Sequence, residues 1–284
     1  MTIKKYLDRL DTLVGKKILL TGGTSGIGLC IADELLYKGA DVIILARNKN
    51  KSLEVKNKLL NKYPNGHLDF IHYDQSDFTS VEAAVNVIIS QYQDFYALIC
   101  NAGIFAHNKK DDNGLSLTFK TNCVGLCYLL KLLIPQLKGN HRIIIQGSLG
   151  AGYHLKKINS LFDSVSNWQQ YIISKACVEA LAYHYANMGL NNISFYLVEP
   201  GLTKTDIVRE FPTPIRQMGK IFLKVASHSP YKAALTAMLA LQSDIKPCFI
   251  VPQSFFDWRG YPKIRPFPKK RIREDLVELL NQVS

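Results

Sequence analysis

Residues 16–28 read Lys16-Lys17-Ile18-Leu19-Leu20-Thr21-Gly22-Gly23-Thr24-Ser25-Gly26-Ile27-Gly28, an apolar strand that runs directly into a glycine turn. Behind the turn, Leu29, Ile31, Ala32, Leu35 and Leu36 recur at helical spacing as far as Gly39, a residue suited to end a helix. Strand, glycine turn and helix in that order form the context in which a dinucleotide is held. The glycines let the backbone turn tightly and approach a pyrophosphate, whose charge faces the helix N-terminus. Thr21, Gly22, Thr24, Ser25, Gly26, Ile27 and Gly28 are therefore candidate cofactor contacts. A plain glycine loop is the bland alternative.

Working outward, Asp41 to Ala46 is a second apolar strand that ends in Arg47. An acid at that strand end would accept hydrogen bonds from the ribose hydroxyls of NAD. Ala46 and a cation stand there instead, and Arg47 can pair with a 2′-phosphate in fork geometry, which favours NADP(H) while NAD(H) stays compatible. A solvated surface arginine is the other reading. Ser52 to Tyr63 reads as an amphipathic helix, Leu68 to Tyr73 as the third strand and Thr79 to Gln91 as a helix. Asp74 and Gln75 lie at the third strand's carboxyl end, where open α/β sheets bind ligands; Asp74 suits an adenine contact or a turn equally well.

Ala97 to Cys100 is the fourth strand, followed by the small turn Asn101-Ala102-Gly103. Leu115 to Leu133 is a long helical pattern that carries Asn122 on an apolar stripe, where an amide must find partners. Arg142 to Gln146 is the fifth strand and delivers Ser148 to its carboxyl edge. After segment 149–170, Tyr171 and Lys175 open a helix reaching about Met188. Four apart, they share one face, and a nearby ammonium brings a phenol toward useful acid–base chemistry. Ile193 to Val198 is the sixth strand, ending in Glu199-Pro200-Gly201 with Thr203 and Thr205 beyond. Phe211 to Ser229 has helical character, Pro230 to Ser243 is a helix, Cys248 to Val251 a last strand and Glu274 to Gln282 a closing helix. The alternation predicts an α/β fold, a Rossmann-type doubly wound parallel sheet of about seven strands with helices on both faces. No internal boundary divides residues 1–284, so one domain is expected, with substrate-side segments 149–170 and 202–229 and a basic tail over 254–284.

Composition agrees with a globular chain: 284 residues, 47% hydrophobic and 20% charged. No apolar run is expected to reach the ~20 residues that span a bilayer. The first residues, Met1 to Arg9, lack the apolar core of a signal peptide, so a cytoplasmic location is expected. The six cysteines, at 30, 100, 123, 127, 177 and 248, sit in apolar surroundings and read as reduced, buried thiols. Neither they nor the scattered histidines suggest a metal site. The net charge of +12 is uneven: Arg259 to Arg273 holds seven basic residues and no acid, with Pro262, Pro266 and Pro268 between them. A solvated, partly extended tail is expected there; a weak contact with an anionic surface is the alternative, and no nucleic-acid partner is expected.

Taken in order, Thr21-Gly22-x3-Gly26-x-Gly28, Asp74, Asn101-Ala102-Gly103, Asn122, Ser148, Tyr171-x3-Lys175 and Pro200-Gly201-x3-Thr205 resemble the short-chain dehydrogenase/reductase family over about residues 14–253. The long gap between Ser148 and Tyr171 looks like its retinol dehydrogenase and protochlorophyllide-reductase-like branch. Gly147 departs from the family, which more often has a second serine there. The resemblance implies a catalytic tetrad of Asn122, Ser148, Tyr171 and Lys175, with Lys175 also on the nicotinamide ribose, Asn122 positioning a proton-relaying water, and Thr205 on the carboxamide. It implies hydride transfer between nicotinamide and a small-molecule carbonyl or alcohol. The Tyr, Phe, Trp, Leu and Ile content of 149–170 and 202–229 suggests a lipophilic substrate, although the same residues can simply pack those segments. A non-catalytic NADP(H)-binding sensor is the competing class. Many relatives pair through the helices of Asn122 and Tyr171; Leu132, Leu133, Leu181 and Tyr185 are expected on the outer faces, where a partner copy or the tail can cover them. Homodimer and monomer both fit.

Overall fold

Successive strand residues face opposite sides of a sheet, and here both sides are apolar. Leu19, Ile43, Leu45, Leu98, Ile143, Ile145 and Leu197 join one buried cluster, while Ile18, Leu20, Ile44, Ile99, Ile144 and Val198 join the other. Each face must therefore be covered by helices. The computed structural model describes residues 1–152, 166–203, 227–254, 257–269, 272–273 and 276–278. In it, β1 (Lys17–Thr21), β2 (Asp41–Ala46), β3 (His67–His72), β4 (Ala97–Cys100), β5 (His141–Gln146), β6 (Ile193–Val198), β7 (Phe249–Pro252) and β8 (Pro262–Arg265) form one sheet in the order β3-β2-β1-β4-β5-β6-β7-β8. All neighbours are parallel except β7 and β8.

The first face is covered by α4 (Phe78–Gln91), α5 (Leu117–Phe119), α6 (Gly125–Leu133) and α7 (Asn167–Asn187). The second is covered by α2 (Gly26–Tyr37), α3 (Lys49–Lys62) and α8 (Pro230–Ala240), with Leu7 of the short α1 (Ile3–Leu7) at its margin. Strand order reverses between β1 and β4, the crevice where doubly wound sheets hold their ligands. Register pairs Thr21 with both Leu45 and Cys100, and Gln146 with Val198, so the carboxyl ends of β1, β4, β5 and β6 open on one edge.

Four sequence expectations change. The sheet has eight strands rather than about seven, because part of the basic tail, expected to be solvated, adds β8 antiparallel to β7. Prolines and cations suit an edge strand that pairs on one side. The continuous helix expected from Leu115 to Leu133 begins at Leu117 and is interrupted over Lys120–Val124 by a π turn, in which Gly125 N–H bonds to Lys120 O. The displaced Thr121 carbonyl is taken by Gln75 Nε2 at 2.6 Å. The run Leu117–Gln136, 20 residues at mean hydropathy 1.4, is long and apolar enough to meet the composition of a membrane span, against the expectation; 67% of its most apolar stretch is buried in the protein. Finally, Leu133 and Leu181 are core residues, not outer ones. Every residue of α7 from Tyr171 to Ala182 is buried. The tail contributes to this cover: Phe267 packs edge-on against Tyr183 with ring centroids 5.9 Å apart, and Leu276, 1% exposed, belongs to the same cluster as Leu133 and Leu181.

Candidate active site

The glycine turn works because β1 and β4 nearly touch. Gly22 has φ +72°, and a Cβ on it would lie 2.9 Å from Ala102 Cα. One on Gly28 would lie 2.2 Å from Gly22 O, so neither position tolerates a side chain. Thr21 Oγ1 accepts from Asn101 N–H at 3.1 Å and Ala102 N–H at 3.0 Å. Asn101 Nδ2 donates back to Thr21 O at 3.0 Å and Gly22 O at 3.2 Å. These bonds hold a cleft of about 570 Å³ lined by Gly22, Thr24, Ser25, Gly26, Ile27, Gly28, Arg47, Asp74, Gln75, Asn101, Ala102 and Gly103. The predicted contacts of the glycine turn, of Arg47, Asp74 and Gln75, and of Asn101 to Gly103 are thus gathered in one place, while Thr21, Tyr171, Lys175, Pro200, Gly201 and Thr203 do not line it. The close-packed glycines leave the backbone bare on the cleft side, the surface a pyrophosphate needs.

Two of those residues also serve the fold. Asp74 Oδ1 accepts from Ser76 N–H at 2.9 Å and Ser76 Oγ at 2.6 Å, a turn role. Burial alone would raise its carboxyl, but those bonds and the nearby Arg47 cation outweigh it and hold it below the usual value. The Gln75 amide reaches Thr121 O and accepts from Tyr73 OH at 3.2 Å.

Two of the tetrad candidates, Asn122 and Lys175, stand beside Gly103, and the other two, Ser148 and Tyr171, come together beside Gly150. A Cβ on Gly103 would stand 3.3 Å from Asn122 Oδ1 and 3.5 Å from Lys175 Nζ. Asn122, just inside the π turn, accepts from Ile104 N–H at 2.7 Å and donates to Ile104 O at 2.9 Å and Ser174 Oγ at 3.1 Å. Its amide clamps the loop after Gly103 to α7. Burial pushes the Tyr171 phenol above its ordinary value, and a hydrogen bond with the Ser148 hydroxyl acts in the opposite sense. Phe105 meets the Tyr171 ring edge-on at 5.7 Å, and Trp168 stacks on it at 5.8 Å. Burial drives the Lys175 ammonium down to about 8, against the opposing pull of Glu179 and Cys123. Lys175 Nζ donates to Gln146 O at 3.2 Å. Ser148 thus draws the phenol down directly, while the Lys175 ammonium, one turn along α7, is bonded to the strand carbonyl.

Pro200, Gly201 and Thr203 follow β6 on the same edge. Gly201 has φ +71°, Thr203 Oγ1 donates to Pro200 O at 3.2 Å, and His228 Nε2 donates to the same carbonyl at 2.6 Å. Thr205 and most of segments 149–170 and 202–229 lie outside the described residues. Sequence reasoning missed Asn48, Lys51, Tyr73, Ile104, Phe105, Thr121 and Gln146 as cleft-lining residues. Gln146 carried a signal, a polar residue ending an apolar strand; Lys51 did not, since it stands among several surface cations. Among the described residues no group of three His, Cys, Asp or Glu could hold a metal.

Phenol and ammonium adjoin the glycine-walled cleft through two of its lining residues, Phe105 against the Tyr171 ring and Gln146 bonded to Lys175. Comparison with known proteins identifies the family. The chain is 29% identical over 246 residues to short-chain dehydrogenase TIC 32 B, chloroplastic, of Brassica napus, covering 80% of this chain and 76% of that protein. It is 26% identical over 239 residues to the polyprenol dehydrogenase of Danio rerio, covering 80% and 74%. A crystal structure of a Mycobacterium Paratuberculosis protein superposes with TM-score 0.73 at 19% identity, covering 98% of this chain and 97% of that one. With the profile described as short chain dehydrogenase matching residues 16–215, the whole span from the first strand through the Tyr171 helix and the Pro200-Gly201 turn, the chain belongs to the short chain dehydrogenase family.

Proposed function

We propose that this member of the family is an NADP(H)-dependent oxidoreductase acting on a lipophilic carbonyl or alcohol, with Asn122, Ser148, Tyr171 and Lys175 as its working residues. The observation that carries this reading is the pairing of Ser148 with Tyr171 next to the glycine-walled cleft, whose lining residue Phe105 meets the Tyr171 ring edge-on. When bound, the dinucleotide supplies or accepts the hydride. Tyr171 holds the exchangeable proton at its phenolic oxygen and donates it to the alkoxide that forms from a carbonyl. Ser148 donates to the same oxygen, favouring charge where it develops. Lys175 supports the phenolate left behind, and its proximity to Gly103 suits it to the nicotinamide ribose. Asn122 fixes the loop that carries Gly103 and Phe105.

Support for NADP(H) comes from Arg47 and Lys51, two cations lining the cleft next to Ala46, where no acid stands to hold a free ribose diol. Support for a lipophilic substrate comes from the aromatic flanks of Tyr171, where the stacked Trp168 is 42% exposed, and from a polyprenol dehydrogenase among the relatives. A panel of aldehydes and ketones, from short sugars to isoprenoids, screened by loss of NADPH absorbance, tests this. Stoichiometric NADPH oxidation with an apolar carbonyl is expected. Binding of NADPH without turnover of any carbonyl or alcohol would favour a sensor instead.

A further inference from the structure

Three consecutive residues leaving β5 each meet one residue of α7. Gln146 O accepts from Lys175, Ser148 bonds Tyr171, and between them Gly147 faces Glu179. Tyr171, Lys175 and Glu179 are spaced by four and share one helix face. A Cβ on Gly147 would lie 2.9 Å from Glu179 Oε1, 3.3 Å from Glu179 Cγ and 3.2 Å from Leu197 Cδ1. The carboxylate, on a residue only 1% exposed, thus fills the room that a serine at 147 would need. The departure from the family at Gly147 and the buried acid at Glu179 are two sides of one packing solution.

We propose that Glu179 is a positioning residue that acts through Lys175: lodged over Gly147, its carboxylate keeps the neighbouring buried ammonium charged. This rests on the oxidoreductase reading above, in which a charged Lys175 supports Tyr171. An ammonium removed from water loses its hydration, and an opposite charge nearby restores part of that loss through a medium that screens less than water. No other element supplies that charge among the described residues. The π turn presents Cys123, whose thiol burial keeps protonated; β5 presents the Gln146 carbonyl and Gly147; β6 presents Leu197. Gly147 becomes part of the same device, because any side chain there would displace the carboxylate.

The test is a titration of the full chain carrying ¹³Cε-labelled lysine, followed by NMR, with the Lys175 signal assigned by its loss in Lys175→Met. The wild-type signal is expected to titrate near 8, as burial dictates. In the near-isosteric Glu179→Gln its midpoint falls by about one pH unit, while Glu179→Asp restores most of it. Gly147→Ser, a second variant that leaves the acid in the chain, shifts the midpoint in the same direction. The basic limb of kcat for carbonyl reduction moves with the midpoint. An unchanged Lys175 midpoint in a folded Glu179→Gln protein overturns the proposal, as does a loss of kcat equal at every pH. If wild type reduces no carbonyl at all, the oxidoreductase reading fails, yet the NMR midpoints still decide the role of Glu179.

Discussion

Lys175 Nζ reaches across from α7 to the Gln146 carbonyl at 3.2 Å, and the side chain of Gln146 continues the line to Asn101 Oδ1 at 3.1 Å. Asn101 in turn holds the Thr21 and Gly22 carbonyls, so hydrogen bonds run unbroken from the proposed active lysine to the glycine turn. The cleft and Lys175 are thereby joined along one edge spanning β5, β4 and β1. Gln146→Leu cuts that line at Asn101 Oδ1, which loses its donor, while the backbone bond to Lys175 remains. It should weaken dinucleotide binding roughly tenfold and lower stability by about 1–2 kcal/mol. Calorimetric titration together with urea unfolding measures both; unchanged affinity would show that the line is incidental.

Glu34 of α2 is a buried acid with neither carboxyl oxygen hydrogen-bonded among the described residues. Burial, and then the Asp33 charge, push it up to about 9 from an ordinary 4.5. Its folded value lies above its unfolded one, so stability is full below about 4.5 and drains away as pH rises toward 9. Glu34→Leu should therefore stabilise the protein by roughly 1–3 kcal/mol at pH 8, with the gain shrinking toward pH 5. Urea unfolding at both pH values reads this; a gain independent of pH would place Glu34 in a hydrogen-bonded setting instead.

Arg47 and Lys51 bear on cofactor choice. Removing the guanidinium with Arg47→Ala should weaken NADPH binding on the order of 10- to 100-fold and leave NADH within about twofold. Ala46→Asp should move preference toward NADH, since an acid there accepts from the free ribose hydroxyls and repels a phosphate. Fluorescence titration with each nucleotide checks both. Equal losses for the two nucleotides would remove Arg47 from phosphate recognition.

Leu276 of the tail is buried in the same cluster as the residues of α7. Leu276→Asp buries an unpaired charge and should cost about 3 kcal/mol. A midpoint in urea within error of wild type would mean that the tail contributes little to the fold.

Seven of the strands were legible to within one residue, because parallel strands buried on both faces read as uninterrupted apolar runs, and the candidate site was legible because its residues follow strand ends in a fixed order. What escaped notice depended on distant partners. β8 was hidden by prolines and cations that disqualify a central strand but not an edge one, as Pro262 opposite Pro252 shows. The π turn was hidden because one extra residue barely disturbs an apolar repeat. Leu133 and Leu181 looked like outer residues because the cluster that buries them draws on distant segments, Leu276 of the tail among them. Gly147 looked like a minor departure until Glu179 was found filling its space.

The central claim is that Tyr171 is the proton donor of a nicotinamide-dependent reaction. It is tested most directly by NADPH oxidation with a carbonyl turned over by the wild type, measured side by side for Tyr171→Phe, with NADPH affinity determined for both. The account predicts a loss in kcat of about 10²–10⁴-fold with affinity unchanged within about threefold. Turnover by Tyr171→Phe within a few fold of wild type would contradict it.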